Sequence, residues 1–181
     1  MTSRIIIAAV VSLAMTGLSV AEEKHDHDHE ETKTLEAHEH GKSELNIAIE
    51  DNKVELELES PGKDIVGFEH AAKNDTQKKA ISEALAILEN PMALFAPPAA
   101  AGCVLIEAEA EHELEGEHAG FHTHWSMECS NIKSLKGFAV TFFDKFPSAE
   151  EVEVQAISEG GQIGIELHHD DGNLSLIDIV G

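Results

Sequence analysis

The chain has 181 residues, of which 35 are acidic and 12 basic, for a formal net charge of −23. That balance excludes nucleic acid and anionic lipid as partners, since both demand a basic surface, and it favours cations. The length suits one ordinary domain.

The first residues read as a leader. Met1 to Arg4 is a short charged segment, Ile5 to Leu13 is apolar, and Ser19-Val20-Ala21 has the small-x-small form of a cleavage site. The apolar stretch is broken by Ser12, Thr16 and Gly17 and falls short of the roughly 20 residues of a membrane span. A signal peptide over 1–21, cleaved after Ala21, is therefore expected, with an exported mature chain.

Residues 22–40 hold few apolar side chains and a dense run of His, Asp and Glu, which favours a flexible arm over a packed element. A single α+β domain is expected over 41–181. Leu45, Ile47 and Ile49 alternate with polar residues, and Val54, Leu56 and Leu58 repeat the pattern after Asp51-Asn52, which predicts a hairpin ended by Pro61-Gly62. Between Asn74 and Asn90 the spacing becomes helical. Ala80, Ile81, Ala84, Leu85 and Leu88 form one face, Asn74 or Asp75 caps the start, and Pro91 stops the run.

After the irregular stretch around Pro97, Pro98 and Gly102, Cys103 to Ile106 begins a strand that leads into the acidic segment Glu107 to Glu117, and Phe121 to Cys129 returns as another. Antiparallel pairing of the two across a polar loop sets Cys103 opposite Cys129. In an oxidising compartment these two cysteines read as a disulfide, worth on the order of 3 kcal/mol. The alternative is a pair of thiolate ligands to zinc.

Further strands are predicted over Gly137 to Phe143, Val152 to Ile157 and, after the turn signal Gly160-Gly161, along Ile163, Ile165 and Leu167; Leu174 to Ile179 adds a short terminal one. Asp144 to Glu150 reads as a connection. The fold class is a mainly antiparallel β-sheet with one substantial helix packed on it.

The 12 histidines carry the functional signal. His25, His27 and His29 alternate with aspartates, His38 and His40 flank Glu39, and His122 and His124 flank Thr123. Imidazole is the commonest metal-ligating side chain, and residues i and i+2 of a strand share one face. His122 and His124 thus point one way, with Phe121, Trp125 and Met127 in the core. With His38 and His40 they supply the four ligands of a closed tetrahedral site. The other reading is an ordinary solvent-facing polar face.

His25, His27 and His29, and His112 and His118 among glutamates, lie on elements too polar to fix a geometry, which suits looser metal capture. His70, His168 and His169 are weaker candidates, since adjacent residues of a strand face opposite ways and at most one of His168 and His169 joins a given site. Zinc needs deprotonated ligands, so affinity should fall as pH drops through histidine protonation, at about 6.5. Imidazole and carboxylate also suit nickel, copper and cobalt.

No nucleophile elbow, HExxH helix or phosphate-cradling glycine loop is present, so catalysis is poorly supported and a non-enzyme is expected. The alternatives are a zinc hydrolase built from three histidines, an open position and Glu128, which shares the parity of His122 and His124, or a passive metal buffer.

Local motifs point the same way. Ala37-His38-Glu39-His40-Gly41, Glu44-Leu45-Asn46-Ile47-Ala48, Leu58-Glu59-Ser60-Pro61, Gly67-Phe68-Glu69-His70, Ala100-Ala101-Gly102-Cys103, His118-Ala119-Gly120-Phe121, Met127-Glu128-Cys129 and Phe142-Phe143-Asp144-Lys145-Phe146-Pro147 resemble, in order and spacing, the ZrgA family of bacterial periplasmic proteins. The resemblance implies a periplasmic protein that binds Zn2+ for uptake and works with an inner-membrane importer. Family members often carry a long His-rich insertion before the segment matching His118 to Phe121. Here that region is short and mostly glutamate, and the N-terminal His-Asp arm is expected to substitute for it.

Overall fold

The computed structural model describes residues 41–116 and 118–180. The chain divides into two units, 1–36 and 37–181, and every described residue belongs to the second. The readings of a leader, of the arm and of His25, His27, His29, His38 and His40 lie outside the described residues.

Among the described residues, nine strands and three α-helices follow in the order β1 (Lys42–Glu50), β2 (Lys53–Pro61), α1 (Gly62–Val66), α2 (Asp75–Leu88), β3 (Phe95–Ala96), β4 (Cys103–Glu115), β5 (His118–Cys129), β6 (Gly137–Val140), α3 (Phe142–Lys145), β7 (Glu151–Ser158), β8 (Gly161–His168) and β9 (Asn173–Ser175). Six strands form one sheet in the order β4-β5-β2-β1-β7-β8, and β3-β6-β9 form a small second sheet. All pairs are antiparallel except β1 with β7. The expected class holds, with α2 the one substantial helix among the described residues.

The large sheet has one dry face and one wet face, as strict alternation dictates. Leu45, Ile47, Leu56, Leu58, Trp125, Met127, Val152, Val154 and Leu167 are buried in one cluster with Leu88, Leu94, Phe95, Leu135 and Phe142. Trp125, fully buried, donates its indole N–H to the Leu88 carbonyl at 2.9 Å and so ties β5 to the end of α2. Asn74 caps α2 by accepting from the Gln77 amide, and Ala84 and Leu88 are buried along the apolar face.

Three elements depart from the sequence reading. The acidic segment after Ile106 is strand up to Glu115, not loop, because its backbone pairs with β5 as far as Glu115 against His118. Helix α3 begins at Phe142, inside the stretch expected to be strand. There the Thr141 amide and hydroxyl bond to the Leu94 and Ala93 carbonyls, which turns the chain. The C-terminal strand covers Asn173–Ser175 alone. Cys103 and Cys129 face each other across β4 and β5 and are joined, S–S 2.03 Å.

Candidate metal site on the open face of the sheet

A bulge decides which side chains of β4 reach the wet face. Register slips between Leu105 and Glu107: Leu105 opposes buried Met127, but Glu107 opposes Ser126 and Ala108 opposes buried Trp125. Uninterrupted alternation from Leu105 would turn Glu107, Glu109 and Glu111 inward; the extra residue, Ile106, turns them to solvent. Beside them the run Glu55-Leu56-Glu57-Leu58-Glu59 on β2 puts three more carboxylates outward, with the two leucines fully buried. β5 lies between these strands and contributes His122, His124 and Ser126 to the same face.

Two imidazoles are thereby set among carboxylates, and each leans diagonally. His122 stands opposite Glu59 but meets Glu57, Nε2 to Oε1, at 2.8 Å; His124 stands opposite Glu57 but meets Glu55 at 3.2 Å. Ser126 donates its hydroxyl to Glu55 Oε1 at 2.9 Å, whereas Oε2, the oxygen nearest His124, is buried and accepts no hydrogen bond. The ligand atoms of Glu57, Glu59 and His122 all lie within 4.8 Å of one another. Two ligands on one tetrahedral zinc stand about 3.3 Å apart, so modest side-chain rotation closes the triad on an ion. Two carboxylates and an imidazole are a donor set that zinc accepts, with a fourth position left open.

His122 and His124 share a face as the strand period demands, but the structure gathers only His122 into this group. Glu57 and Glu59 were not among the candidate ligands expected from the sequence. Their signal was the alternation of glutamate with leucine on β2, which the sequence reading used only to place a strand.

His112 and His118 were assigned to polar elements without fixed geometry; both sit on paired strands. His118 is exposed and its Nδ1 lies 3.6 Å from Glu69. His112 points to the other side of the sheet, edge-on to Phe121 with centroids 5.0 Å apart, and its Nε2 is buried without a hydrogen-bond partner. Burial lowers its pKa below the usual 6.5, because desolvation penalises the imidazolium. The unfolded chain therefore takes this proton first. Stability from a neutral His112 is intact above about 6.5 and declines as pH falls through that value toward the lowered one. Thermal melts at pH 7.5 and 5.5 should show His112→Leu losing less Tm on acidification than the parent protein; parallel losses would overturn the assignment.

A second triad was not anticipated: Glu151, Glu166 and His168 also bring one ligand atom each within 4.8 Å. His169 turns the other way, its ring 4.9 Å from that of Phe143. His70 stacks on Phe68 at 5.1 Å.

The family model for ZrgA zinc uptake proteins matches residues 37–176. The chain belongs to the ZrgA family of zinc uptake proteins. The matched span takes in the whole large sheet and both triads. Carboxylate and imidazole donors suit several divalent ions, and the family is one of zinc uptake. No curated protein matches the chain. Among the described residues no helix is long and apolar enough to cross a membrane.

Proposed function

We propose that this ZrgA protein is a periplasmic, non-catalytic carrier that takes Zn2+ as cargo on the open face of its large sheet and passes it to an inner-membrane importer. The observation that carries the reading is the convergence of Glu57, Glu59 and His122 on a carboxylate-rich face, in a chain of a zinc uptake family. Three ligands with an open position suit cargo better than a structural ion, because an incoming donor from the acceptor can enter before the first ligands leave. The surrounding acidic field raises the local cation concentration. In this reading the His-Asp arm collects zinc and the sheet holds it.

Growth tests the uptake step. A strain lacking the protein is expected to grow poorly in chelator-treated medium, to recover with the parent chain or with added zinc, and not to recover with the His122→Asn, Glu57→Gln variant expressed at equal level. A defect appearing only in excess zinc would instead identify a buffer, and full recovery with the variant would remove the sheet face from the function.

A further inference from the structure

The open face carries one uninterrupted line of ionisable side chains across five strands. From β5 outward, His122 stands opposite Glu59, Glu59 opposite Glu44, Glu44 opposite Glu153, and Glu153 opposite Glu166. At about 4.8 Å per strand the line runs roughly 19 Å. Its first end is the Glu57, Glu59, His122 triad, and its far end, on β7 and β8, is the Glu151, Glu166, His168 triad.

The far triad is built by register. Glu151 stands opposite His168 and Glu153 opposite Glu166, so the three donors come from two adjacent antiparallel strands and face one side. The turn after β8 is pinned as well, with the His168 amide donating to Asp171 Oδ2 at 2.9 Å, which fixes the backbone that carries the imidazole. This is a different arrangement from a patch of acids. A nitrogen donor and two carboxylates lie within 4.8 Å of one another, as in the first triad.

One feature separates the two ends. Lys42, at the start of β1, places its ammonium 2.6 Å from Glu153 and 3.8 Å from Glu151, one of the three donors. A divalent ion on the far triad must compete with that resident cation for Glu151 and meet its repulsion. At the first triad the imidazole of His122 is paired with the Glu57 carboxylate instead, at 2.8 Å.

We propose that Glu151, Glu166 and His168 form a second divalent-cation site, weaker than the first, with Lys42 as a built-in competitor that sets its affinity. The two sites end one carboxylate line, so an ion leaving either finds carboxylates at every strand step toward the other. The choice of zinc as the ion rests on the proposed function; the site itself rests on the register.

The test is a zinc titration of the full mature chain, labelled with 15N and read at the ring nitrogens of His122 and His168 by two-dimensional NMR. His122 is expected to respond first and His168 at higher zinc. Lys42→Met should move the His168 transition to several-fold lower zinc and leave that of His122 in place. Glu166→Gln should move it higher while the spectrum elsewhere stays that of the folded parent. A silent His168 ring beside a responding His122 overturns the second site and leaves the proposed function standing. Silence of His122 overturns the proposed function, whatever His168 does. Coincident transitions unaffected by Lys42→Met overturn the competitor role.

Discussion

Trp125→Ala is expected to destabilise the fold by about 3–5 kcal/mol, the range for deleting a buried aromatic from a packed core. Three losses combine. The ring is fully buried and large, so its removal leaves a cavity under β5 that the neighbouring strands, fixed by their ladders, fill only in part. It also packs against Phe95, centroids 6.2 Å apart, in the aromatic layer that runs on to Phe142. Finally, its N–H satisfies the Leu88 carbonyl at the last turn of α2, an acceptor that has no helical partner of its own at that end. Trp125→Phe separates the terms: it keeps most of the bulk and loses the hydrogen bond, so about 1–2 kcal/mol is expected. Urea unfolding followed by far-UV circular dichroism reads both variants, since the chain has a single tryptophan and fluorescence is lost with it. A midpoint change equivalent to under 1 kcal/mol for the alanine variant would mean that β5 is not anchored to α2 through this ring. Because Trp125 faces away from His122 and His124, the folded phenylalanine variant should bind zinc as the parent does.

What the sequence made legible was local. The β1–β2 hairpin, the capped helix α2 and the β4–β5 pairing that sets Cys103 against Cys129 each follow from a periodicity and a punctuating residue within about 25 positions of chain. The parity of His122 and His124 against Trp125 and Met127 followed too, since period two leaves no other choice once a strand is granted. What was not legible depends on pairings between distant segments. The parallel contact of β1 with β7 brings Glu44 beside Glu153 across more than 100 residues, and no local pattern announces it. The same holds for the β3-β6-β9 sheet: strands were expected around β6 and β9, but β3, two residues long, shows no period, and nothing local says that the three pair. The acidic run after Ile106 misled for a different reason. Strong charge and alternating small residues look like loop composition, yet Ala108 and Ala110 lie on the inner face while the glutamates sit in solvent, as in any half-buried strand. The candidate site was half legible for the same cause. Histidine spacing named one member of the group, but the carboxylates that meet it come from β2, and only the β2–β5 register shows which of them lie in reach.

Exchange of His122 for Asn is expected to weaken zinc binding at the sheet face by at least 10–100-fold, and exchange of His124 by less than tenfold. The two residues are of one type, two positions apart on one strand, so their difference isolates what the local geometry contributes. His122 is a member of the triad and its ring nitrogen already lies 2.8 Å from Glu57, a donor of the same group. Losing it leaves two carboxylates, which hold zinc poorly without nitrogen. The lower bound follows from what loss of an outer-shell partner alone commonly costs a metal site. His124 is engaged elsewhere: its Nε2 contacts Glu55 at 3.2 Å, and Glu55 is also held by Ser126. His124 stands opposite Glu57 on the next strand but is not one of the three grouped donors, so its loss is expected to cost positioning and not a bond to the ion. Competition against chelators of graded affinity, on the full chain, measures both constants and ranks the sheet face against any other zinc binding by the chain. Equal losses in the two variants would return the ligand set to a histidine pair shared on one ion. Unchanged tight binding in His122→Asn would take the primary site off the sheet altogether. The expected inequality has a structural cause that the spacing of two histidines cannot supply: on a strand, sharing a face is not sharing an ion, because the diagonal neighbours on the next strand decide where each ring leans.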